Sequence, residues 1–507
     1  MSIYPSLTDV KHLAQHYSFI PVCKTIVVDT ETPVSLYHRM LQESYSFLLE
    51  SVEGGEKWSR YSYIGADPFL IVKGQNGKFQ LKSRDRRDIQ MTFDPINLVQ
   101  QLLDEHHAPQ YEGYPPFLGG AVGTIGYESI RYFEPNRPLI QEDQLFHHHD
   151  FHLMFVDRMI VFDHLKQQVL FVGFLKVVEE MDTEALTIGY EQLTEELKEW
   201  AVAFIRQSKQ ILPIETVDLT EQPIRNASVN MSKNTYIEKV KQAKAYIDSG
   251  DVFQVVLSQK WTMDDPPDPM LTYRILRILN PSPYMYYLRL DDEVIVGSSP
   301  ELLVRVHDRK VGIRPIAGSR PRGKGRDEDN RLKESLLADE KECAEHMMLV
   351  DLGRNDLGRI ARFGSVQVSD LKSIEKYSHV MHMVSHVSAT LDEPYRELDA
   401  FAAAFPAGTL SGAPKIRAME IIAELEPEPR GIYGGAIGYF SFTGNIDACI
   451  AIRTIHFKDQ RATVQAGAGV VTDSDPEAEY QETVNKAKGA LLSLEIAKSY
   501  RAVEGAV

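Results

Sequence analysis

The stretch "SKNTYIEKVKQAKAYIDSGDVFQVVLSQ", residues 232–259, contains the change of period that decides the fold class. Ser232 suits the start of a helix, because its hydroxyl can take an orphan amide of the first turn. Tyr236, Val240, Ala243 and Ile247 then share one helical face, and Gly250 closes the helix. The following "VFQVVLSQ" (252–259) alternates instead, with Phe253, Val255 and Leu257 on one face of a strand and Gln254, Val256 and Ser258 on the other. Gln254 is therefore a polar group on a largely apolar strand. Upstream, residues 1–178 read as β-rich, with a hairpin expected in "FLIVKGQNGKFQLKS" because Asn76-Gly77 suits a two-residue turn. Residues 179–207 are helical in pattern. The polar segment 208–231, with Pro213 and Pro223, reads as a linker. Downstream, a long helix from Asn330 to Val350 and a glycine-rich hairpin turning at Gly444-Asn445 complete a mixed α/β or α+β body over 232–495, followed by a tail at 496–507.

Composition narrows the function classes. The 507 residues include 55 basic and 72 acidic side chains, a net charge of −17, with 43% apolar residues. An acidic chain lacks the clustered Lys and Arg that nucleic acid or an anionic membrane surface requires. No apolar run reaches the roughly 18–20 residues of a membrane span, and Met1 to Val22 has no basic stretch leading into an apolar one, so a cytoplasmic location is expected. Cys23, Cys343 and Cys449 form no CxxC pair and read as reduced thiols.

Several constellations could do chemistry. "GSRPRGKG" (318–325) nearly fits the phosphate loop of a nucleotide-binding enzyme, but Gly325 stands where a hydroxyl should hold magnesium, and Pro321 removes a backbone donor. Gly120 to Gly126 lacks dinucleotide spacing and reads as a close backbone approach. Glu342 and Glu345 lie three apart on the long helix, and Glu479 and Glu482 on a helix opened by Asp475-Pro476. One carboxylate from each helix would suffice for magnesium, although Glu482 can equally pair with Lys486. Arg453, placed in the strand "DACIAIRTI" beside small Cys449 and Ala451, has room for a carboxylate ligand. Gly467 to Gly469, read as following a strand, can present bare amides to an anion. His379, His382 and His386 recur at i, i+3 and i+7, and His147-His148-His149 reads as a loop.

In order along the chain, "PIAGSRPRG" (315–323), "ECAEHMMLVDLGRNDLGRI" (342–360), "FPAGTLSGAPKIRAMEII" (405–422), "GGAIGYF" (434–440) and "GAGVVTDSDPEAEYQETVNKAKG" (467–489) resemble the chorismate-utilising enzymes. The resemblance covers about 230–493, more weakly "LLES" and "GGAVGTIGYE". It implies an α+β fold with α/β/β/α layers, two large antiparallel-rich sheets and the site in a cleft between them. Residues 1–207 would be a regulatory domain and 232–495 the chorismate-binding catalytic domain.

The resemblance further implies Mg2+ on Glu345 and Glu482. It implies substrate contacts at Gly318, Ser319, Tyr433, Arg453, Gly467, Ala468, Gly469 and Lys486, with His382 and Glu301 as catalytic groups. Ser319 departs from the more usual threonine. Isochorismate- and salicylate-forming members carry a lysine where this chain has Gln254, and aminodeoxychorismate-forming members one where it has Ala317. The branch implied is therefore the one that makes anthranilate and pyruvate from chorismate and ammonia, the first step of tryptophan biosynthesis. The aminodeoxychorismate branch is the alternative. None of the three cysteines has the glycine flanks of a glutaminase nucleophile, so a glutamine amidotransferase subunit is the expected partner. Ser51, Pro283, Tyr284 and Met285 match the family's pocket for inhibitory tryptophan.

Overall fold

The computed structural model describes residues 3–52, 60–84, 88–91, 95–134, 148–178, 181–206, 214, 224–377 and 380–500. Two antiparallel sheets dominate it, one of thirteen strands and one of twelve. In each, strands from before residue 178 lie together and strands from after residue 226 lie together. The halves join through Tyr45–Glu50 against Tyr284–Leu290 in the larger sheet, and Gly120–Ile125 against Ala436–Ser441 in the smaller.

Alternation along these strands builds three apolar layers. In the larger sheet Phe47, Val161, Tyr286 and Leu288 face the smaller sheet and meet its Val122, Met154, Ile437 and Tyr439. The intervening Leu48, Ile160 and Tyr287 face outward onto Leu193 and Leu197 of helix Thr183–Arg206, Leu276 of Pro269–Leu279 and Leu494 of Pro476–Ser499. The smaller sheet turns Leu153, Phe155 and Val304 outward onto Leu102 of Pro95–Glu105, Val350 of Glu340–Gly358 and Phe401 of Glu397–Ala404. The result is the α/β/β/α layering of an α+β fold. Strands buried on both faces read as near-continuous apolar runs, so alternation alone did not announce them.

The decisive stretch folds largely as its periods require. The Ser232 hydroxyl accepts the Thr235 amide at 3.1 Å, helix Lys233–Asp248 follows, and Gly250 takes φ +86°. The apolar stripe of that helix packs on Val255 and Leu257. Phe253 is a correction: the strand begins at Gln254 and Phe253 is exposed. The hairpin at Asn76-Gly77 forms, with Gln75 opposite Lys78 and both turn residues at positive φ, and so does the turn at Gly444. At the Gly120–Gly126 motif, a Cβ on Gly123 would fall 2.0 Å from the His152 carbonyl oxygen, so the backbone does approach closely there.

The long helix is broken. Arg326–Leu337 ends at Ala338, and Asp339 starts Glu340–Gly358 by accepting the Glu342 amide at 3.1 Å. A short carboxylate that caps its own downstream turn competes with helix continuation. At the other end, helix Pro476–Ser499 runs past residue 496. Most of 208–231, including Pro213 and Pro223, lies outside the described residues, as do His147 and His379.

Candidate active site

A cleft of about 770 Å3 opens between the sheets. Gln254, Gly467 and Gly469 line it from the larger sheet, Ala317, Gly318, Ser319 and His382 from the smaller, and helices Glu340–Gly358 and Pro476–Ser499 add Glu342, Glu345, Glu479, Glu482 and Lys486. Its two central polar groups sit where the chain passes from one sheet to the other. Pro300-Glu301 links Glu293–Ser299 of the larger sheet to Leu302–His307 of the smaller. Residues 451–453 make the return link from Ile446–Ile450 to Thr454–Lys458. The Ile450 amide donates to the Glu301 carbonyl at 3.0 Å, tying the two crossings together. Arg453 is therefore not on a strand, as its sequence suggested, but in the break between two strands, with φ +52°.

Glu301 is a buried carboxyl with raised proton affinity in this cleft. Burial pushes its carboxyl up to about 7, against the lowering effects of the Thr409 hydroxyl and the Lys486 and Arg453 charges. The hydroxyl donates to Oε1 at 3.0 Å. Thr409, inside the quoted "FPAGTLSGAP", escaped the sequence reading; its only signal was a small hydroxyl in a turn-rich run. Arg453 lines the cleft yet forms no ion pair with any described residue, so its guanidinium is open to an anion.

Across the cleft the carboxylates sort themselves. Glu342 is held by Arg320 at 3.0 Å, which leaves Glu345 to face the cavity. Glu345 is pushed up by burial and by the Glu342 and Glu482 charges. The Gln254 side-chain amide donates to it at 3.3 Å, while the Gln254 carbonyl oxygen is buried without a partner. Glu482 does pair with Lys486, at 2.7 Å, and Lys486 also donates to the Gly467 carbonyl at 3.1 Å. A divalent cation fits this set: it would relieve the repulsion between Glu345 and Glu482, two hard oxygen donors on facing helices.

Glycine is sterically required on the cleft wall of the larger sheet. "GAG" lies inside strand Arg461–Val470 rather than after it. A Cβ on Gly467 would stand 2.8 Å from both the Leu257 carbonyl and the Tyr433 hydroxyl, and one on Gly469 would stand 2.6 Å from the Gln254 amide nitrogen. Tyr433 lines the cleft and hydrogen-bonds through its hydroxyl to the Gly467 backbone. Ala468 is fully buried and does not line the cleft. Gly318 (φ +74°) and exposed Ser319 sit at a register shift against the His382 strand.

His382 belongs to strand Val380–Thr390, so its i, i+4 spacing from His386 is about 13 Å of extended chain and makes no metal trio. Its Nδ1 lies 3.3 Å from the Gly318 carbonyl, which fixes that nitrogen as the protonated one and leaves Nε2 as acceptor. Burial lowers its basicity, keeping it neutral near pH 7. The phosphate-loop reading fails in the structure as well. The Gly323 and Lys324 amides donate to Asp329 and Glu328, each at 2.8 Å, so the chain's own carboxylates occupy the cradle.

The model of the family described as chorismate binding enzymes matches residues 46–492. The chain belongs to the chorismate-binding enzyme family. It is 46% identical to anthranilate synthase component 1 of Acetivibrio thermocellus over 98% of this chain and 100% of that one. It is 43% identical to the protein of the same name from Aquifex aeolicus, over 98% and 99%. The crystal structure of anthranilate synthase component I from Streptococcus pneumoniae superposes with a TM-score of 0.71 at 37% identity, covering 92% of this chain and 99% of that one. This is a lyase-type, chorismate-utilising enzyme with the two-sheet fold of its family.

A second, small cavity lies apart from the central carboxylates. Ser51, Pro283, Tyr284 and Met285 line it together, with Arg305 and Asp447 at its polar end. The Arg305 Nε donates to Asp447 at 2.8 Å, and the Tyr284 hydroxyl does so at 3.0 Å. Pro283 also lines the large cleft, so the two cavities share a wall. Among the described residues no helix is long and apolar enough to cross a membrane.

Proposed function

We propose that this enzyme converts chorismate and ammonia to anthranilate, pyruvate and water, the first step of tryptophan biosynthesis. Bound between Glu345 and Glu482, Mg2+ would neutralise a substrate carboxylate and draw charge from the ring. Arg453 holds a carboxylate in the opposite wall, and the Gly467 and Gly469 backbone lies close to it because no side chain intervenes. Ammonia adds at C2 while the C4 hydroxyl departs as water, taking its proton from Glu301. A carboxyl whose surroundings keep it protonated to about pH 7 is suited to that donation. In the second stage His382, neutral and open at Nε2, takes the C2 proton as the ether C–O bond breaks; the ring becomes aromatic, and the released enolpyruvate gains a proton at its methylene carbon to give pyruvate.

The observation that carries the choice of nucleophile is the pair Gln254 and Ala317 on the cleft wall. An amide at 254 cannot deprotonate water and a methyl group at 317 cannot attack C2, so the two positions that serve water and a covalent lysine elsewhere in the family leave ammonia as the nucleophile. This argues against the aminodeoxychorismate alternative.

Ammonia would come from a glutamine amidotransferase subunit. Burial raises the Cys23 and Cys449 thiols far above the range of a nucleophile, and Cys343 donates to the Leu337 carbonyl at 3.4 Å. Tryptophan would bind in the Ser51–Met285 cavity and act on the cleft through the shared wall at Pro283. The test is turnover of the isolated chain with chorismate and Mg2+. Anthranilate fluorescence with ammonium but not with glutamine is expected, and glutamine-dependent turnover by the chain alone would overturn the partner assignment.

A further inference from the structure

Between the two sheets, at the end of strand Glu293–Ser299 remote from Glu301, His149, His152 and Glu293 bring three donor atoms within 4.8 Å of one another. Six residue steps separate Glu293 from Ser299, roughly 20 Å along the strand, so this cluster is not part of the cleft. His152 and Glu293 are buried, and His149 is half-buried, with its ring edge-on to His152 at 4.9 Å. Hydrogen bonding within the protein explains only part of the arrangement. Glu293 receives His152 Nδ1 at 2.6 Å on Oε1 and His456 Nε2 at 2.9 Å on Oε2. That leaves His152 Nε2 and His149 Nδ1 buried without partners. Two unpartnered imidazole nitrogens beside one carboxylate are a donor set that a bound ion would satisfy.

We propose that His149, His152 and Glu293 form a transition-metal site of zinc type that clamps the two sheets together, separate from the Mg2+ site. Imidazole favours zinc and its neighbours over magnesium, which prefers oxygen. A tetrahedral sphere with bonds near 2.1 Å spaces its donors about 3.4 Å apart, so the three side chains draw inward on binding. His456 then becomes the outer partner that orients the carboxylate. The protonation states suit ligation: burial pushes His149 down to about 4 and also lowers His152, while His152 and His456 hold Glu293 well below the usual carboxylate range against its burial. The opposing charges are Lys458, 3.8 Å from Glu293, and Lys73, which is paired with Asp291 at 3.2 Å. His152 lies on Phe151–Val156 of the smaller sheet and Glu293 on the larger, so one ion would join both. Half-buried His149 gives the entry path.

The test uses the full chain stripped with a chelator and titrated with Zn2+ alone, then with Co2+ as a spectroscopic probe. One saturable equivalent, a visible Co2+ spectrum of low-symmetry tetrahedral type and a Tm that climbs with free Zn2+ are expected. A large excess of Mg2+ should leave all three unchanged. His149→Ala, at a half-buried position, should weaken Zn2+ binding at least tenfold and remove the Tm response, whereas Glu345→Gln/Glu482→Gln should preserve both. Equal Zn2+ affinity in the native chain and His149→Ala, absence of saturable uptake, or loss of uptake in the Glu345→Gln/Glu482→Gln variant would each overturn the site.

Discussion

Replacing Thr409 with valine removes one hydroxyl from the acid of the site and keeps its shape. That hydroxyl donates to Glu301 at 3.0 Å and favours the ionised carboxylate, so its loss should raise the Glu301 pKa further. A hydrogen bond to a charged group contributes about 1.5 kcal/mol, or about one pH unit. With the carboxyl starting at about 7, nine-tenths is protonated near pH 6 and about one-tenth near pH 8. The falling alkaline limb of kcat should therefore move from about pH 7 toward pH 8 in Thr409→Val, if free ammonia is held constant across the series. Glu301→Gln should show no such limb and little turnover. The same group sets a stability slope. Between 4.5 and about 7 the folded chain keeps a proton that the unfolded chain has lost, so stability falls as pH rises through that window. Glu301→Gln should remove the slope and stabilise the protein at pH 8 by at most about 3 kcal/mol, discounted for access from the cleft. An alkaline limb that stays put or moves to lower pH in Thr409→Val would refute the assignment of Glu301 as proton donor.

Glu345→Gln and Glu482→Gln should each cost at least a hundredfold in kcat/KM and raise the Mg2+ requirement; activity at native Mg2+ in both would remove the proposed ligands. His382→Ala should impair elimination more than amination, so chromatography of a reaction that still consumes chorismate should reveal accumulating 2-amino-2-deoxyisochorismate. Arg453→Ala should raise the chorismate KM well above tenfold through loss of its carboxylate clamp, and an unchanged KM would place the substrate elsewhere. Ser51→Phe should relieve tryptophan inhibition while sparing kcat. By linkage, tryptophan and chorismate must weaken each other's binding by the same factor in the native enzyme, which equilibrium titration can check.

Local chemistry in this chain was legible wherever one residue type served one local purpose. Ser232 and Gly250 bound their helix, and Asn76-Gly77 turns its hairpin. What escaped depends on contacts between segments far apart in sequence. Arg453 read as a strand residue of "DACIAIRTI", yet the chain changes sheets there, a fact that no local period records. Periodicity left Glu342 and Glu345 equivalent; Arg320, from a strand, occupies Glu342, and Gln254, from a strand of the other sheet, donates to Glu345. Family resemblance supplied Glu301, but its environment comes from Thr409, 108 residues away. His149 read as part of a loop, because nothing local indicates that Glu293 lies beside it.

The most direct test of the central claim is the fate of isotope-labelled ammonia given to the purified chain with chorismate and Mg2+. Anthranilate labelled on the amino group ortho to the carboxylate, and an equal amount of unlabelled pyruvate, are expected. Product labelled at the para position, or unlabelled isochorismate, would contradict that claim.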